Sequence, residues 1–154
     1  MRVSGHFDYA ADPLEVYSIF TDPEALLMAA PGLTSLTEVA PDRWEAVVKV
    51  GIGGFALVYT GTLAVTNRVP GEAYHLLIDV VSHNGYAKGE ADFRFLPLPG
   101  GRTRTEYEGE VELGGAQKLL PAVAKYIVEF FMRGMAETLA HRKEAPACNA
   151  RPTP

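Results

Sequence analysis

The chain has 154 residues, and its 14 Lys and Arg against 19 Asp and Glu give a net charge of -5. This length corresponds to one domain, and 47% hydrophobic with 21% charged residues is the balance of an ordinary globular protein. The acidic balance argues against a nucleic-acid partner, which would require a basic face, and the one cysteine excludes an internal disulfide.

The first thirty residues predict one strand and two short helices. Apolar and polar residues alternate over residues 3–9, as in a strand with one buried face. Asp12 with Pro13, and then Asp22 with Pro23, give two helix-start signals, because Asp is a good N-cap and Pro suits the first helical position. The second helix is expected to end near Ala29.

From residue 33 to residue 113 the pattern predicts one strand after another. Apolar and polar residues alternate between turns, which indicates an antiparallel sheet with one exposed face. Asn84 and Gly85 form a strong hairpin signal between two of these strands. Charged residues such as Lys88 and Glu106 share one parity, and this parity identifies the exposed face.

A glycine motif within this region suggests a nucleotide site. Residues 51–56, GIGGFA, match GxGxxA, which binds pyrophosphate only where a helix N-terminus follows. The residues from Phe55 onward predict another strand instead. We therefore interpret the motif as a hairpin turn.

A long helix is predicted over residues 116–141, with an apolar face at helical spacing. Because one curved sheet cannot bury its inner face alone, this helix is expected to cover it. The predicted domain spans residues 1–142, and the Ala- and Pro-rich residues 143–154 are predicted to be a disordered tail.

No constellation of residues predicts catalysis, a metal or a cofactor. The histidines lack the close spacings of metal ligands, and Cys148 lies in the predicted tail. No GxSxG elbow occurs, and the acidic residues alternate mostly to the exposed face. The prediction is therefore no catalytic residue, no metal site and no cofactor.

Small residues recur on the inner face of the predicted sheet. Gly61, Gly89 and Gly109 have the inward parity, and Gly134 lies on the covering helix. They would leave an apolar cavity if the helix stood off the sheet, or they would only allow curvature if large neighbours filled the space. An apolar cavity with a few hydrogen-bonding groups, here Tyr59, Thr105 and Tyr107, is the usual form of a small-molecule site. The residues predicted to line it are Trp44, Leu57, Tyr59, Gly61, Leu76, Ile78, Gly89, Ala91, Phe93, Thr105, Tyr107, Gly109, Val123, Ile127, Phe130, Phe131 and Gly134.

Short motifs over most of the chain carry a resemblance to a known family. In order they are Gly5-x-Phe7, Asp22-Pro23, Pro31-Gly32, Val50-Gly51, Tyr59-x-Gly61, the strand with Gly89, Thr105-x-Tyr107, and Gly114. With them the chain to about residue 141 resembles the START-like helix-grip (SRPBCC) superfamily and, more narrowly, the CoxG family of carbon monoxide dehydrogenase. The resemblance implies an α+β helix-grip fold, a curved antiparallel sheet wrapped on a long C-terminal helix with two short helices after the first strand.

The resemblance also implies a function. It suggests non-catalytic binding of a hydrophobic small molecule, lipid or quinone-like, by an accessory or recruitment subunit of a carbon monoxide dehydrogenase-type molybdenum hydroxylase. Many members continue into a membrane-anchoring segment, whereas this chain ends in a short tail, so no direct membrane anchor is expected. No secretory signal or membrane span is recognisable, and a cytoplasmic location is predicted.

Two alternatives and one assembly stay open at this stage. A cyclase- or aromatase-like enzyme on a hydrophobic ring substrate would need an acid or base in the cavity, for which Tyr107 or Tyr59 would serve. A ligand-free adaptor protein would have a solid interior. An exposed strand edge would allow a homodimer.

Overall fold

In the part of the chain that the structure describes, seven antiparallel strands form one sheet and three helices pack beside it. The computed structural model describes residues 1–30, 32–52, 55–83, 85–115 and 121–149, with side chains described except at 50–52, 55–57, 121–124, 126 and 143–149. The elements are β1 (Arg2–Tyr9), α1 (Pro13–Phe20), α2 (Pro23–Ala29), β2 (Leu33–Ala40), β3 (Arg43–Ile52), β4 (Phe55–Val69), β5 (Ala73–Ser82), β6 (Gly85–Leu98), β7 (Arg102–Gly115) and α3 (Pro121–Asn149).

The sheet has the order β1-β7-β6-β5-β4-β3-β2. Strands β2 to β7 follow one another as hairpins, and β1 closes the other edge by pairing with β7. The helices α1 and α2 therefore carry the chain from one edge of the sheet to the other. This is the predicted α+β architecture, and the fold prediction is confirmed.

Both short helices begin where the sequence predicts. The carboxylate of Asp12 accepts a hydrogen bond from the Glu15 backbone N–H at 2.9 Å, and that of Asp22 accepts from Glu24 at 3.0 Å. The second carboxylate oxygen of Asp22 also accepts from the guanidinium of Arg142. Asp22 thus caps α2 and ties it to α3, a link between distant parts of the sequence that capping rules do not reveal.

The GxGxxA motif lies in the β3–β4 hairpin. Gly51 pairs with Ala56 and Ile52 pairs with Phe55, while residues 53 and 54 lie outside the described residues. A strand follows the motif, so the helix N-terminus that a pyrophosphate site requires does not follow it. In the next predicted hairpin, Gly85 begins β6 and Asn84 lies outside the described residues.

The long helix differs from the prediction in its limits. The sequence predicts it over residues 116–141, but its described backbone begins at Pro121 and continues to Asn149, and residues 116–120 and 150–154 lie outside the description. Residues 143–149, assigned by the sequence to a disordered tail, are helical in backbone. Ala145 and Ala147 favour this extension because alanine has the highest helix propensity.

The interior has a filled end, where α1 packs on β1, β6 and β7. The fully buried ring of Phe20 contacts the rings of Tyr9, Phe95 and Phe131 at centroid distances of 5.6, 5.4 and 5.9 Å. The Tyr9 hydroxyl crosses this layer and donates to the Met132 carbonyl oxygen of α3 at 2.8 Å. These aromatic contacts fix the position of α3 over one half of the sheet.

Candidate functional site

The other half of the interior is hollow. A cavity of about 270 Å³ lies between the sheet, α2 and α3. The structure brings eight of the predicted lining residues around it: Leu76, Ile78, Gly89, Ala91, Phe93, Tyr107, Ile127 and Phe131. The predicted cavity therefore exists, at one end of the inner face.

The cavity arises from a fall in side-chain size along β6. Phe95 and Phe93 fill the interior beside α1, and Ala91 and Gly89 follow on the same face. The neighbouring strand β7 carries Tyr107 opposite Phe93, with ring centroids 6.2 Å apart. These two rings form the boundary between the filled and the hollow end.

The inner-face glycines divide into two kinds. A Cβ on Gly61 would lie 2.0 Å from the Asp79 carbonyl oxygen, and one on Gly109 would lie 2.2 Å from that of Glu90. These two glycines admit the backbone of the adjacent strand. A Cβ on Gly89 would lie 3.3 Å from the Glu110 oxygen and 3.6 Å from Val111 Cγ2, so this position is much less confined. Gly89 lines the cavity, whereas Gly61 and Gly109 serve the close packing of the strands.

The remaining predicted lining residues lie elsewhere or outside the description. Trp44 is buried in the hydrophobic core, and neither it nor Tyr59 lines the cavity. Thr105 is buried behind the aromatic boundary. The side chains of Leu57 and Val123 lie outside the described residues.

Two residues of α3 depart from the predicted position for a specific reason. Gly134 packs against Ala29 of α2, since a Cβ there would lie 2.7 Å from the Ala29 carbonyl oxygen, and Phe130 is 46% exposed. The prediction placed one apolar face of the helix against the sheet. The helix has two covered faces instead, because α2 packs on it as well, and the fully buried positions are Met132 and Met135.

Further residues that the prediction missed complete the lining. Leu26, Ala30 and Leu33 come from α2 and the start of β2, which the sequence alone does not place over the sheet. The others are mostly strand residues whose inward parity was a usable signal. The missed lining residues are Val3, Leu26, Ala30, Leu33, Ala46, Val48, Leu63, Val80, Glu90, Val111 and Val128.

The lining is almost entirely apolar. Glu90 is exposed and alternates to the outer face of its strand, so its backbone contributes to the wall. Tyr107 supplies a hydroxyl at the cavity boundary. Burial raises the pKa of Tyr107, and the negative charge of Glu129 raises it further, so the phenol remains protonated and able to donate.

Thr105 offers a test of a buried hydroxyl close to the site. Its side chain is fully buried, and its oxygen has no hydrogen-bond partner among the described residues. We expect Thr105→Val to raise the free energy of unfolding by about 1 kcal/mol, because an unpaired buried hydroxyl is replaced by a methyl group of similar shape.

The neighbouring Thr103 supplies the matched control for this prediction. It is equally buried, but its hydroxyl donates to the Ala11 carbonyl oxygen at 2.7 Å. Thr103→Val should lower the free energy of unfolding by about 1–2 kcal/mol. Urea denaturation of both variants measures the two changes, and equal losses would contradict the assignment of Thr105 as unpaired.

Metal-ligand clusters and membrane-spanning helices do not occur in the part of the chain that the structure describes. Within residues 1–149, apart from the gaps in the description, no three His, Cys, Asp or Glu side chains group as metal ligands. None of the described helices is both long and apolar enough to cross a bilayer.

Comparison with known proteins gives a family match and several structural neighbours. The model of the carbon monoxide dehydrogenase CoxG family matches residues 5–142. Among curated proteins, none matches the chain in sequence.

The similar solved structures share the whole fold. A conserved protein from Geobacillus kaustophilus has 25% identity and a TM-score of 0.85, with 92% of this chain and 96% of that chain covered. A START superfamily protein from Mycobacterium smegmatis has 20% identity and a TM-score of 0.64, with 94% and 97% covered. The Zhui aromatase/cyclase from Streptomyces sp. R1128 has 15% identity and a TM-score of 0.61, with 96% and 95% covered. The latter two likenesses show the START-like fold alone.

Proposed function

Because the chain belongs to the CoxG family of carbon monoxide dehydrogenase, we propose that it binds a hydrophobic small molecule, a lipid or quinone-like compound, without transforming it. The observation that carries this proposal is the apolar cavity of about 270 Å³ between the sheet and α3. Transfer of apolar ligand surface into such a site is favourable by about 25 cal/mol per Å², before the costs of association.

The shape of the interior supports binding rather than a packing defect. The filled end contains closely spaced aromatic rings, so the chain packs large side chains where it has them. The hollow end is lined by small and aliphatic residues from β6 and α2, among them Ala91 and Leu26. A cavity with these walls excludes water and favours an apolar occupant.

Native mass spectrometry tests the proposal. Protein purified without detergent should carry a non-covalent hydrophobic adduct, which organic extraction releases for identification. After delipidation, the neutral fluorophore N-phenyl-1-naphthylamine should bind with a stoichiometry of one. A protein that retains no adduct and fails to bind this fluorophore would show that the cavity has no carrier function.

We also propose an accessory role beside a carbon monoxide dehydrogenase-type molybdenum hydroxylase. Family membership is the support for this partner. Copurification of a tagged form of this chain from its native host should retain the hydroxylase, identified by its subunits and its molybdenum content. Absence of the hydroxylase under mild cross-linking would argue against the association.

A cyclase-like enzyme on a hydrophobic ring substrate is the second candidate. The observation in its favour is the protonated phenol of Tyr107 at the cavity boundary, which could donate a proton. Loss of turnover of a ring substrate in Tyr107→Phe, with binding preserved, would favour the enzyme.

A further inference from the structure

A second depression adjoins the cavity on the side of β1. This crevice has a volume of about 340 Å³ and lies between the start of β1 and α3. Among the described residues, Val3, Tyr107 and Val128 line both the crevice and the cavity. The two spaces therefore meet at a wall made of the same side chains.

Tyr107 places a polar group at this wall. A Cβ on Gly5 would lie 2.6 Å from the Tyr107 hydroxyl oxygen, so the absence of a side chain at Gly5 is what makes room for the phenol. The residue is 7% exposed, and its hydroxyl makes no hydrogen bond to any described residue. A buried ring thus ends in a free donor beside the crevice.

Lys125 places a positive charge on the same crevice. It is exposed, and it forms no ion pair with a residue in the described part of the chain. The other cation of this surface, Arg2, is already paired with Glu108 and Glu110. Glu129 of α3 also acts electrostatically on Tyr107 and opposes a negative charge there, so recognition of an anion depends on Lys125.

We propose that the crevice is the head-group subsite of the cavity and that the ligand is a single-tailed amphiphile with an anionic oxygen head, held by the Tyr107 hydroxyl and the Lys125 ammonium. This inference rests on the proposed function. An apolar cavity cannot take up an unpaired charge, whereas a solvated crevice next to it can. At the packing density of protein interiors the cavity holds about 200 Å³ of ligand, which corresponds to a tail of roughly a dozen carbons.

Displacement of bound N-phenyl-1-naphthylamine by dodecanoate and by 1-dodecanol, both below micellar concentrations, tests the subsite. The two ligands share the tail and differ in the charge of the head. Lys125→Gln should weaken dodecanoate binding about threefold to fivefold and leave dodecanol unchanged. Tyr107→Phe should weaken both ligands about threefold to tenfold, because each oxygen accepts from the phenol.

Lys88→Gln is the matched control. It removes the same charge from an exposed position on the outer face of β6, so it should change neither affinity. Circular dichroism and thermal midpoints establish that each variant is folded.

The outcomes separate the two levels of the argument. If neither the fluorophore nor dodecanol binds the parent protein, the proposed function fails, and the head-group subsite fails with it. If both bind but Lys125→Gln leaves the ratio of dodecanoate to dodecanol affinity unchanged, or Lys88→Gln changes it equally, the subsite is overturned and the cavity function stands.

Discussion

Ala91→Leu is expected to weaken ligand binding more than tenfold while the protein stays folded. Ala91 faces the cavity from β6, between Phe93 at the boundary and Gly89 at the hollow end. A leucine adds three carbons to a space of about 270 Å³. The added groups occupy volume that the ligand needs, and each buried methylene contributes about 0.8 kcal/mol to folding, which offsets the strain of a larger side chain.

Fluorescence titration with N-phenyl-1-naphthylamine and urea denaturation measure the two effects. We expect the affinity to fall more than tenfold and the free energy of unfolding to change by no more than about 1 kcal/mol. Ala140→Leu is the control, since it adds the same carbons at an exposed position of α3. Unchanged affinity in Ala91→Leu would mean that the fluorophore binds elsewhere on the protein.

Gly134→Ala is expected to destabilise the protein although alanine is the better helix former. Helix propensity alone would favour the substitution by about 1 kcal/mol. The new Cβ, however, would lie 2.7 Å from the Ala29 carbonyl oxygen and 3.2 Å from the Ala29 Cα. Both atoms belong to the backbone, so α2 has to move away from α3, and we expect a net loss of about 1–2 kcal/mol.

The sign of the change decides this prediction. Urea denaturation should give a lower midpoint for Gly134→Ala, and ligand affinity should fall as well, because α2 contributes Leu26 to the cavity wall. Arg133→Ala, at an exposed position of the same turn, should be nearly neutral. Stabilisation by Gly134→Ala would show that α2 and α3 are not held in close contact at this point.

Local signals predict most of the fold. Alternation predicts the strands, and the residue pairs Asp12–Pro13 and Asp22–Pro23 predict the starts of α1 and α2, because strand parity and helix capping depend on neighbours in the sequence. The limits of α3 were less predictable, since its last turns contain residues that suit either a helix or a tail.

The candidate site was only partly predictable because it depends on contacts between distant segments. Gly61 and Gly89 have the same parity in their strands, yet one faces a neighbouring backbone and the other faces a cavity. Gly134 has the spacing of an inward residue but packs on α2, a second partner of α3 that periodicity cannot reveal. Sequence alone indicates that small residues line the inner face, and only the tertiary structure distinguishes their roles.

The separation of a filled aromatic end from a hollow end has a consequence for how such a domain can diversify. The rings around Phe20 hold the helices to the sheet, whereas positions 89 and 91 set the free volume. Single substitutions at those positions can enlarge or shorten the accommodated molecule without disturbing the contacts that maintain the fold. Homologous chains could therefore change cargo in small steps, each of them compatible with a stable protein.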